Sequence, residues 1–277
     1  MRSALCIYEL ATGTVEEVLS TPRLIEAPNW TPDGAALIVN GDGRMFKVPL
    51  DAPDLMPIDT GPAVHCNNDH GVSPDGEWLV ISDSTETGQS CISILPLAGG
   101  VPKRITSHVP SWWHGWSPDG GTLAFVGRRD GGFGIYTIPV AGGDEQHLVS
   151  GGGHYDGPDY TPDGAFIWFN SDRTGSMDLW RIPSAGGEPE RMTDDDRVNW
   201  FPHPAPDGRS VLYLSYAPQT EGHPRDRDVE LRLLDLGDGS VRTLLPLFGG
   251  QGTINVPCWS PDGSRFAFVR YQPVEAT

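Results

Sequence analysis

The stretch HGWSPDGGTLAFVG, residues 114–127, joins a tight turn to the strand that follows it. Proline fixes φ in such a turn and glycine accepts a positive φ, so Ser-Pro-Asp-Gly predicts a sharp reversal of the chain. The residues TLAFVG after the turn are apolar enough for a buried β-strand. The short segment before the turn ends in an aromatic residue, Trp116, and is predicted to be a strand as well.

Pro-Asp-Gly occurs six times, each time between two predicted strands. Its aspartates are spaced by 42, 44, 44, 44 and 55 residues: Asp33, Asp75, Asp119, Asp163, Asp207 and Asp262. Several units continue with a third strand after a polar loop and a fourth strand after a Gly-Gly turn. A period of this size with four strands per unit is typical of the blades of a β-propeller.

The two ends of the chain complete the sixth unit. After Asp262 only one strand remains, SRFAFVRYQP, and the N-terminal segments ALCIYEL and TVEEVLS supply two more. The prediction is therefore an all-β fold, a six-bladed β-propeller with four-stranded antiparallel blades. We expect one domain over residues 1–277, in which the N- and C-terminal strands together close the last blade.

Composition excludes several classes of partner. The net charge is −18 with only 19 Lys and Arg, which disfavours binding to nucleic acid or to an anionic membrane surface. The four cysteines show no Cys-x-x-Cys spacing, so buried reduced thiols are expected rather than a disulfide framework. No stretch approaches a transmembrane span, and the apolar run at the N-terminus is too short for a signal peptide. We therefore expect a cytoplasmic protein.

The Pro-Asp-Gly repeats resemble those of the TolB-like, WD40-like (PD40) six-bladed propellers, over nearly the whole chain. The resemblance implies the fold and says little about function. The secretory signal and the N-terminal α/β domain of TolB itself have no counterpart in the sequence, so its envelope role is not expected. Peptidases of the S9 family also carry such propellers, but the Gly-x-Ser-x-Gly motif of their hydrolase domain is missing, and serine peptidase activity is not expected.

Six segments are predicted to line one mouth of the central channel. Antiparallel strands alternate in direction, so the Pro-Asp-Gly turns share one face, and the innermost strands start at the opposite face. We call the eight residues that end at the Ser, Thr or Ala before each Pro-Asp-Gly an approach segment: 24–31, 66–73, 110–117, 154–161, 198–205 and 253–260. Histidines and tryptophans concentrate in these segments, which predicts a functional site at this mouth.

Two histidines replace a repeated proline. Four approach segments have proline three positions before their last residue, and the other two have His70 and His114 there. Imidazole titrates near neutral pH, so both histidines are candidates for acid–base catalysis, with Asp69 and Asp156 to orient them or act as bases. Each histidine alone is also compatible with a structural bridge between blades. Their joint presence in two adjacent units favours function.

The segments combine polar groups with aromatic walls, as small-molecule sites do. We predict a site for a carbohydrate or a sugar acid, in which aromatic rings stack on sugar faces. The predicted ligand-binding residues are Glu26, Asn68, Trp112, Trp113, His154, Tyr155, Trp200, His203, His223, Arg225 and Asn255. His223 and Arg225 belong to the long segment 215–232, for which a solvated charged loop is the alternative.

A divalent metal is the one cofactor predicted, and no organic cofactor is expected. Oxygen ligands from four blades, Glu26, Asn68, Asp156 and Asn255, would suit Ca²⁺, Mg²⁺ or Mn²⁺. In residue type and ring position this set resembles the axial metal site of gluconolactonase-like propellers. A second set, His70, His114 and His203, would suit Mn²⁺ or Zn²⁺. It is similar to the His-lined metal site that oligogalacturonate lyases use for β-elimination.

Three functions therefore remain open. The first is a metal-assisted carbohydrate lyase or hydrolase, or a protein that only binds such a ligand. The second is a non-catalytic propeller that binds a peptide or a protein at the channel mouth, with tryptophans as anchors. The third is a purely structural propeller. A funnel with convergent histidines favours the enzyme, and a broad flat aromatic surface favours the protein partner.

Overall fold

A computed structural model describes residues 1–272, which form twenty-three β-strands. In chain order they are β1 (Arg2–Glu9), β2 (Val15–Thr21), β3 (Glu26–Trp30), β4 (Ala36–Gly41), β5 (Arg44–Pro49), β6 (Met56–Ile58), β7 (Cys66–Val72), β8 (Trp78–Asp83), β9 (Cys91–Pro96), β10 (Lys103–Arg104), β11 (Ser111–Trp116), β12 (Thr122–Arg129), β13 (Gly132–Pro139), β14 (Gln146–Ser150), β15 (Tyr155–Tyr160), β16 (Phe166–Ser171), β17 (Asp178–Pro183), β18 (Glu190–Arg191), β19 (Val198–Pro204), β20 (Ser210–Tyr216), β21 (Arg227–Asp235), β22 (Val241–Gly249) and β23 (Arg265–Gln272). Within residues 1–272 no helix has the length and apolar character needed to cross a membrane.

Five blades consist of four consecutive antiparallel strands each: β3–β6, β7–β10, β11–β14, β15–β18 and β19–β22. The first strand of each blade is innermost and packs against the first strand of the next blade around the ring. The predicted six-bladed propeller is thus confirmed. The long segment of the fifth blade is confirmed too, as a loop over 217–226 between β20 and β21.

The sixth blade is closed by the two ends of the chain, as predicted. β1 pairs with β23 from Arg2 opposite Gln272 to Glu9 opposite Arg265, and β2 pairs with the other edge of β1. The innermost position is occupied by the approach segment 253–260, which forms only one bridge, from Trp259 to Phe266. The residues before it fold into a turn in place of a regular strand, in which Thr253 N donates to Gly250 O at 2.9 Å.

The Pro-Asp-Gly turns are held by a repeated set of side-chain hydrogen bonds. In the third blade the Ser117 hydroxyl donates to Asp119 Oδ1 at 2.5 Å and accepts from Thr122 N at 2.9 Å. The same carboxylate accepts from Gly121 N at 2.9 Å. Gly120 has φ +70°, a conformation that glycine adopts without steric cost. These bonds explain why a hydroxyl residue precedes five of the six turns.

Each of the five regular innermost strands is interrupted by a bulge against its neighbour. The register shifts lie between Glu26 and Asn29, Cys66 and His70, Trp113 and Gly115, Asp156 and Asp159, and Trp200 and His203. Three bulges contain a residue with positive φ: Ala27, Gly157 and Phe201. A bulge bends a strand and redirects its side chains, so these positions differ from an ordinary alternating strand.

At three of these bulges, in the first, third and fifth blades, an amide that leaves the ladder bonds to the preceding blade. Trp113 N donates to Ser82 Oγ at 2.8 Å, and Phe201 N donates to Asn170 Oδ1 at 3.0 Å. Ala27 N donates to Gly252 O at 2.7 Å, across the junction with the sixth blade. Because a buried amide without a partner is costly, these bonds both permit the bulges and join neighbouring blades.

The packing between blades depends on close contacts that only small residues allow. Trp113 is buried between the second and third blades, directly against Gly71. A Cβ atom added to Gly71 would lie 2.1 Å from Cη2 of Trp113, so the indole ring would have to move. The four cysteines are free and buried in the same interior, as the sequence predicted.

We predict that Gly71→Ala destabilises the protein by about 1–3 kcal/mol, because it overpacks this interface. The measurement is the free energy of unfolding in urea. Gly132→Ala is the matched control, since the nearest atom to its added Cβ is 3.9 Å away. Equal stability of the two variants would contradict the packing described here.

Candidate functional site

A cavity of about 560 Å³ lies at the mouth of the channel, on the face opposite the Pro-Asp-Gly turns. All six blades contribute to its wall. The predicted site residues that line it are Glu26, Asn68, Asp69, Trp112, His114, His154, Asp156, His223 and Asn255. The structure therefore brings together side chains that lie up to 229 positions apart in the sequence, from Glu26 to Asn255.

Two of the predicted histidines lie below the cavity and outside its wall. His70 is fully buried, its Nε2 is 3.3 Å from Ile38 O, and burial lowers the pKa of its imidazole to about 4. His203 Nδ1 is 3.0 Å from Asp159 Oδ2, and its Nε2 is 2.6 Å from Ile254 O. Both imidazoles make contacts between blades, and for His70 this is the structural role left open in the sequence.

Four other predicted residues also lie outside the cavity wall. Trp113 is buried against Gly71, and Tyr155 is buried with its hydroxyl donating to Gly151 O at 2.5 Å. Trp200 supports the cavity from behind, because its ring packs 4.3 Å from the His223 ring, centroid to centroid. Arg225 lies over the ring of Tyr271, 5.7 Å from its centroid.

Asp156 is the centre of a cluster of three imidazoles. Its Oδ1 is 3.0 Å from His114 Nε2, and its Oδ2 lies 3.7 Å from His154 Nε2 and 3.6 Å from His223 Nε2. The amide of Gly157, which has a positive φ in the bulge, also donates to Oδ1 at 2.8 Å. The bulge therefore directs this carboxylate into the cavity and contributes a hydrogen bond to it.

The cluster shifts the pKa of each member. Burial alone would raise the pKa of the Asp156 carboxyl, but the hydrogen bond from His114 and the nearby imidazole of His154 hold it well below its usual range. Burial alone would lower the pKa of His114, but Asp69 and Asp156 outweigh it and raise the pKa to about 9. His114 Nδ1 is also 3.2 Å from Asn255 O. His114 is thus a buried imidazolium with both nitrogens donating.

The other two imidazoles of the cluster shift in opposite directions. Burial opposes the charge on His154, yet its contact with Asp156 raises its pKa. Burial lowers the pKa of His223 despite the same carboxylate, so His223 is neutral at pH 7. The Nδ1 atom of His223 bonds to Oε1 of Gln251, which fixes the ring and leaves Nε2 as the free nitrogen.

A second group of polar side chains lies on the wall formed by the first and second blades. Glu26 pairs across the sheet with Asn40, and the nearby side chains of Asn40 and Asn68 act to lower the pKa of its carboxyl. Burial raises the pKa of the Glu26 carboxyl to about 7. Asp69 Oδ2 accepts from Asn67 Nδ2 at 2.6 Å, and burial raises the pKa of Asp69 to about 6.

Sequence reasoning did not identify several residues of the wall. Asn40 is the next-to-last residue of β4, Phe133 lies in β13, and Gln251 precedes the sixth approach segment. Phe201 lies within an approach segment, but nothing in its position distinguishes it from a core residue. The second strand of the first blade and that of the fourth blade both have asparagine as their next-to-last residue, Asn40 and Asn170. This repetition in the sequence could have identified Asn40 as a candidate.

The residues predicted to hold a metal do not fit one. Asn255 Oδ1 already accepts from Gly252 N at 2.6 Å, and the Asp156 oxygens face three imidazoles. In the alternative set, contacts within the fold occupy both nitrogens of His203. Across residues 1–272, no group of three or more His, Cys, Asp or Glu side chains is arranged to hold a metal ion.

Comparison with known proteins places the fold among named families. Residues 110–244 match the PD40 family, described as the TolB beta propeller domain. The chain is 50% identical over 277 residues to an uncharacterised protein of Agrobacterium fabrum, covering 99% of this chain and 94% of that protein. It is 49% identical to a solved protein of Agrobacterium tumefaciens with a provisional TolB name, with 99% of both chains covered and a TM-score of 0.97.

More distant solved structures share the architecture. An oligogalacturonate lyase in complex with manganese is 15% identical, with a TM-score of 0.61 over 95% of this chain and 77% of the lyase chain. At this identity the likeness shows a common fold alone.

We predict that Asp156→Asn lowers the pKa of His114 well below 9, because it removes the carboxylate that accepts from Nε2. The measurement is an NMR titration of the histidine ring protons, with His114→Gln to assign the signal. The control is Asp163→Asn, which changes an exposed turn aspartate on the opposite face. An unchanged His114 titration in Asp156→Asn would contradict the described cluster.

The raised pKa of Glu26 predicts that the folded protein loses stability as the pH rises. Its pKa in the folded protein, about 7, lies above its ordinary value of 4.5, so folding favours the protonated form. Stability from this group is complete below pH 4.5 and is lost as the pH rises through 7. Asp69 and His114 have raised pKa values too and add to the same trend.

The variant Glu26→Gln cannot ionise, so its stability should fall less between pH 5 and pH 8. We expect the difference from the parent protein to be on the order of 2 kcal/mol in unfolding free energy, measured in urea at both pH values. Glu16→Gln, at an exposed position of β2, is the control. Parallel pH profiles for the parent protein and Glu26→Gln would contradict the assignment.

Proposed function

Because this chain belongs to the TolB-like β-propeller family, we propose that the mouth of its central channel binds a small ligand. The ligand is neutral or cationic, polyhydroxylated and of carbohydrate type, and the site transfers protons to and from it. The observation that carries this proposal is the convergence of acid–base side chains on one cavity with an aromatic wall.

The size and the wall of the cavity suit one or two sugar rings. Its volume of about 560 Å³ is within the range of small-molecule sites, roughly 300–1,000 Å³. Trp112, Phe133 and Phe201 line it, and the rings of Trp112 and Phe133 lie 6.0 Å apart. Aromatic faces next to buried hydrogen-bonding groups match the apolar and polar surfaces of a sugar.

The charge of the wall disfavours a sugar acid. Four carboxyl residues line the cavity: Glu26, Asp42, Asp69 and Asp156. Asp42 has an ion pair with Arg23 at 3.3 Å, and His114 carries one positive charge against Asp69 and Asp156. On the wall of the first and second blades, where Glu26 and Asp69 lie, a carboxylate on the ligand would meet repulsion.

Glu26 and His223 are the proposed proton donor and acceptor. A pKa near 7 means that Glu26 is present both with and without its proton at neutral pH, so it can exchange a proton with a ligand hydroxyl. His223 is neutral and its Nε2 is free to accept a proton from a ligand hydroxyl. Asp156, with its pKa far below neutrality, would stabilise the resulting imidazolium electrostatically.

The shape of the site argues for a small ligand over a protein partner. The aromatic side chains of the wall line a concave cavity, and two of the tryptophans predicted as anchors are buried away from it, Trp113 and Trp200. A protein interface of standard size requires about 800 Å² on each partner, which favours a broad surface. A loop or terminus of a partner inserted into the cavity is the competing occupant.

The test is ligand-observed NMR with a panel of mono- and disaccharides. We expect binding that Trp112→Ala weakens about tenfold or more, because the stacking surface is removed. Trp78→Ala is the matched control, as Trp78 is exposed and lies outside the cavity. No binding by any sugar, or equal losses in the two variants, would contradict the proposal.

A further inference from the structure

We propose that the ligand of this cavity carries a protonated amine, as an amino sugar does, and that Asn40, Glu26 and Asp69 receive the amine. We call these three residues the acceptor corner. The inference rests on the proposed function and specifies its ligand class. Two observations support it: hydrogen-bond acceptors that have no partner within the fold, and the charges of the groups around them.

Asn40 has a buried acceptor without a partner. The residue is 3% exposed, and it lines the cavity. Asn40 is the cross-strand partner of Glu26, and among residues 1–272 its Oδ1 has no hydrogen-bond partner. A buried oxygen of this kind costs about 1–3 kcal/mol when it stays unsatisfied, so it points to a donor supplied by a ligand.

Asp69 has a second open acceptor. The residue is 6% exposed and lines the same cavity. Its Oδ2 accepts from Asn67 Nδ2, while its Oδ1 lies 3.8 Å from His114 Nε2, beyond hydrogen-bond distance. His114 Nε2 instead donates to Asp156 at 3.0 Å. The Oδ1 atom of Asp69 is therefore available to a ligand.

The charges around the corner favour a cation. Glu26 faces Asp69, Tyr271 and the guanidinium of Arg225, which also lies over the Tyr271 ring and pairs with Asp226. Asp69 faces Asp156 and the single imidazolium of His114. The carboxyls of Glu26 and Asp69 each make the ionisation of the other less favourable. The positive charge of His114 is shared between Asp69 and Asp156.

An ammonium group matches this corner better than a hydroxyl does. It offers three N–H donors to three acceptors, namely Asn40 Oδ1, the Glu26 carboxylate and Asp69 Oδ1. It also adds positive charge beside two carboxyls whose neighbouring cations, Arg225 and His114, are paired with Asp226 and Asp156, and hydrogen bonds between charged groups are the stronger kind. A hydroxyl provides one donor and no charge.

The experiment compares matched ligands by isothermal titration calorimetry at pH 7: glucosamine with glucose, and galactosamine with galactose. We expect the amino sugar to bind about 10- to 100-fold more tightly than its parent sugar. Asp69→Asn and Glu26→Gln should each reduce this preference about tenfold. Asp119→Asn, an exposed turn aspartate on the opposite face, is the control and should retain it.

A pH series with the parent protein provides a test that does not depend on any variant folding. Between pH 5 and pH 7 an amine stays protonated, while Glu26 and Asp69 lose protons. The affinity for the amino sugar should therefore rise several-fold over this range, and the affinity for the parent sugar should not. A flat or falling amino-sugar affinity would overturn the amine inference.

The outcomes separate the two proposals. Equal affinity for both members of each pair overturns the amine inference and leaves the carbohydrate site supported. Binding of neither member overturns both proposals. A preference for the amino sugar that survives Asp69→Asn and Glu26→Gln together overturns the placement at the acceptor corner.

Discussion

The bulge in the innermost strand is the constraint on which the rest of this propeller depends. It removes one backbone amide from the ladder, and in the third and fifth blades the fold supplies a new acceptor in the preceding blade, Ser82 for Trp113 N and Asn170 for Phe201 N. One local irregularity therefore links neighbouring blades and changes the direction of the strand at the channel mouth. The bulge recurs at a similar place in each regular innermost strand. The side chains around the channel mouth therefore do not alternate between the two faces of the sheet as they would in a regular strand.

The candidate site is built on that ring and completed by less regular parts of the chain. Asp156 enters the cavity at the bulge of the fourth blade, where Gly157 takes the positive φ and donates its amide to the carboxylate. His223 and Gln251 come from the long loop and from the turn before the sixth approach segment. The regular blades thus provide the charged groups of the cluster, Asp156 and His114. The irregular long loop provides His223, the imidazole whose pKa is lowered.

Most of the fold was predictable from the spacing of Pro-Asp-Gly, including closure by β1 and β23, because a turn of fixed chemistry repeats with the period of a blade. The site was only partly predictable, as two histidines show. His70 and His114 occupy the same slot of the repeat, yet His114 lies within its bulge, while His70 follows the bulge and pairs with Ile81. One therefore faces Asp156 and the other is buried beside Ile38. Periodicity fixes a position along a strand, and the location of the bulge decides where the side chain points.

The central claim is that ligand binds in the cavity around Asp156, and histidine ring NMR tests it most directly. Glucosamine would be titrated into the protein while the ring signals of all eight histidines are followed. The account predicts shifts at His114, His154 and His223, which surround the Asp156 carboxylate, and none at His108 or His147 outside the cavity. Shifts confined to His108 or His147, or no shift at any of the three cavity histidines at saturating ligand, would contradict it.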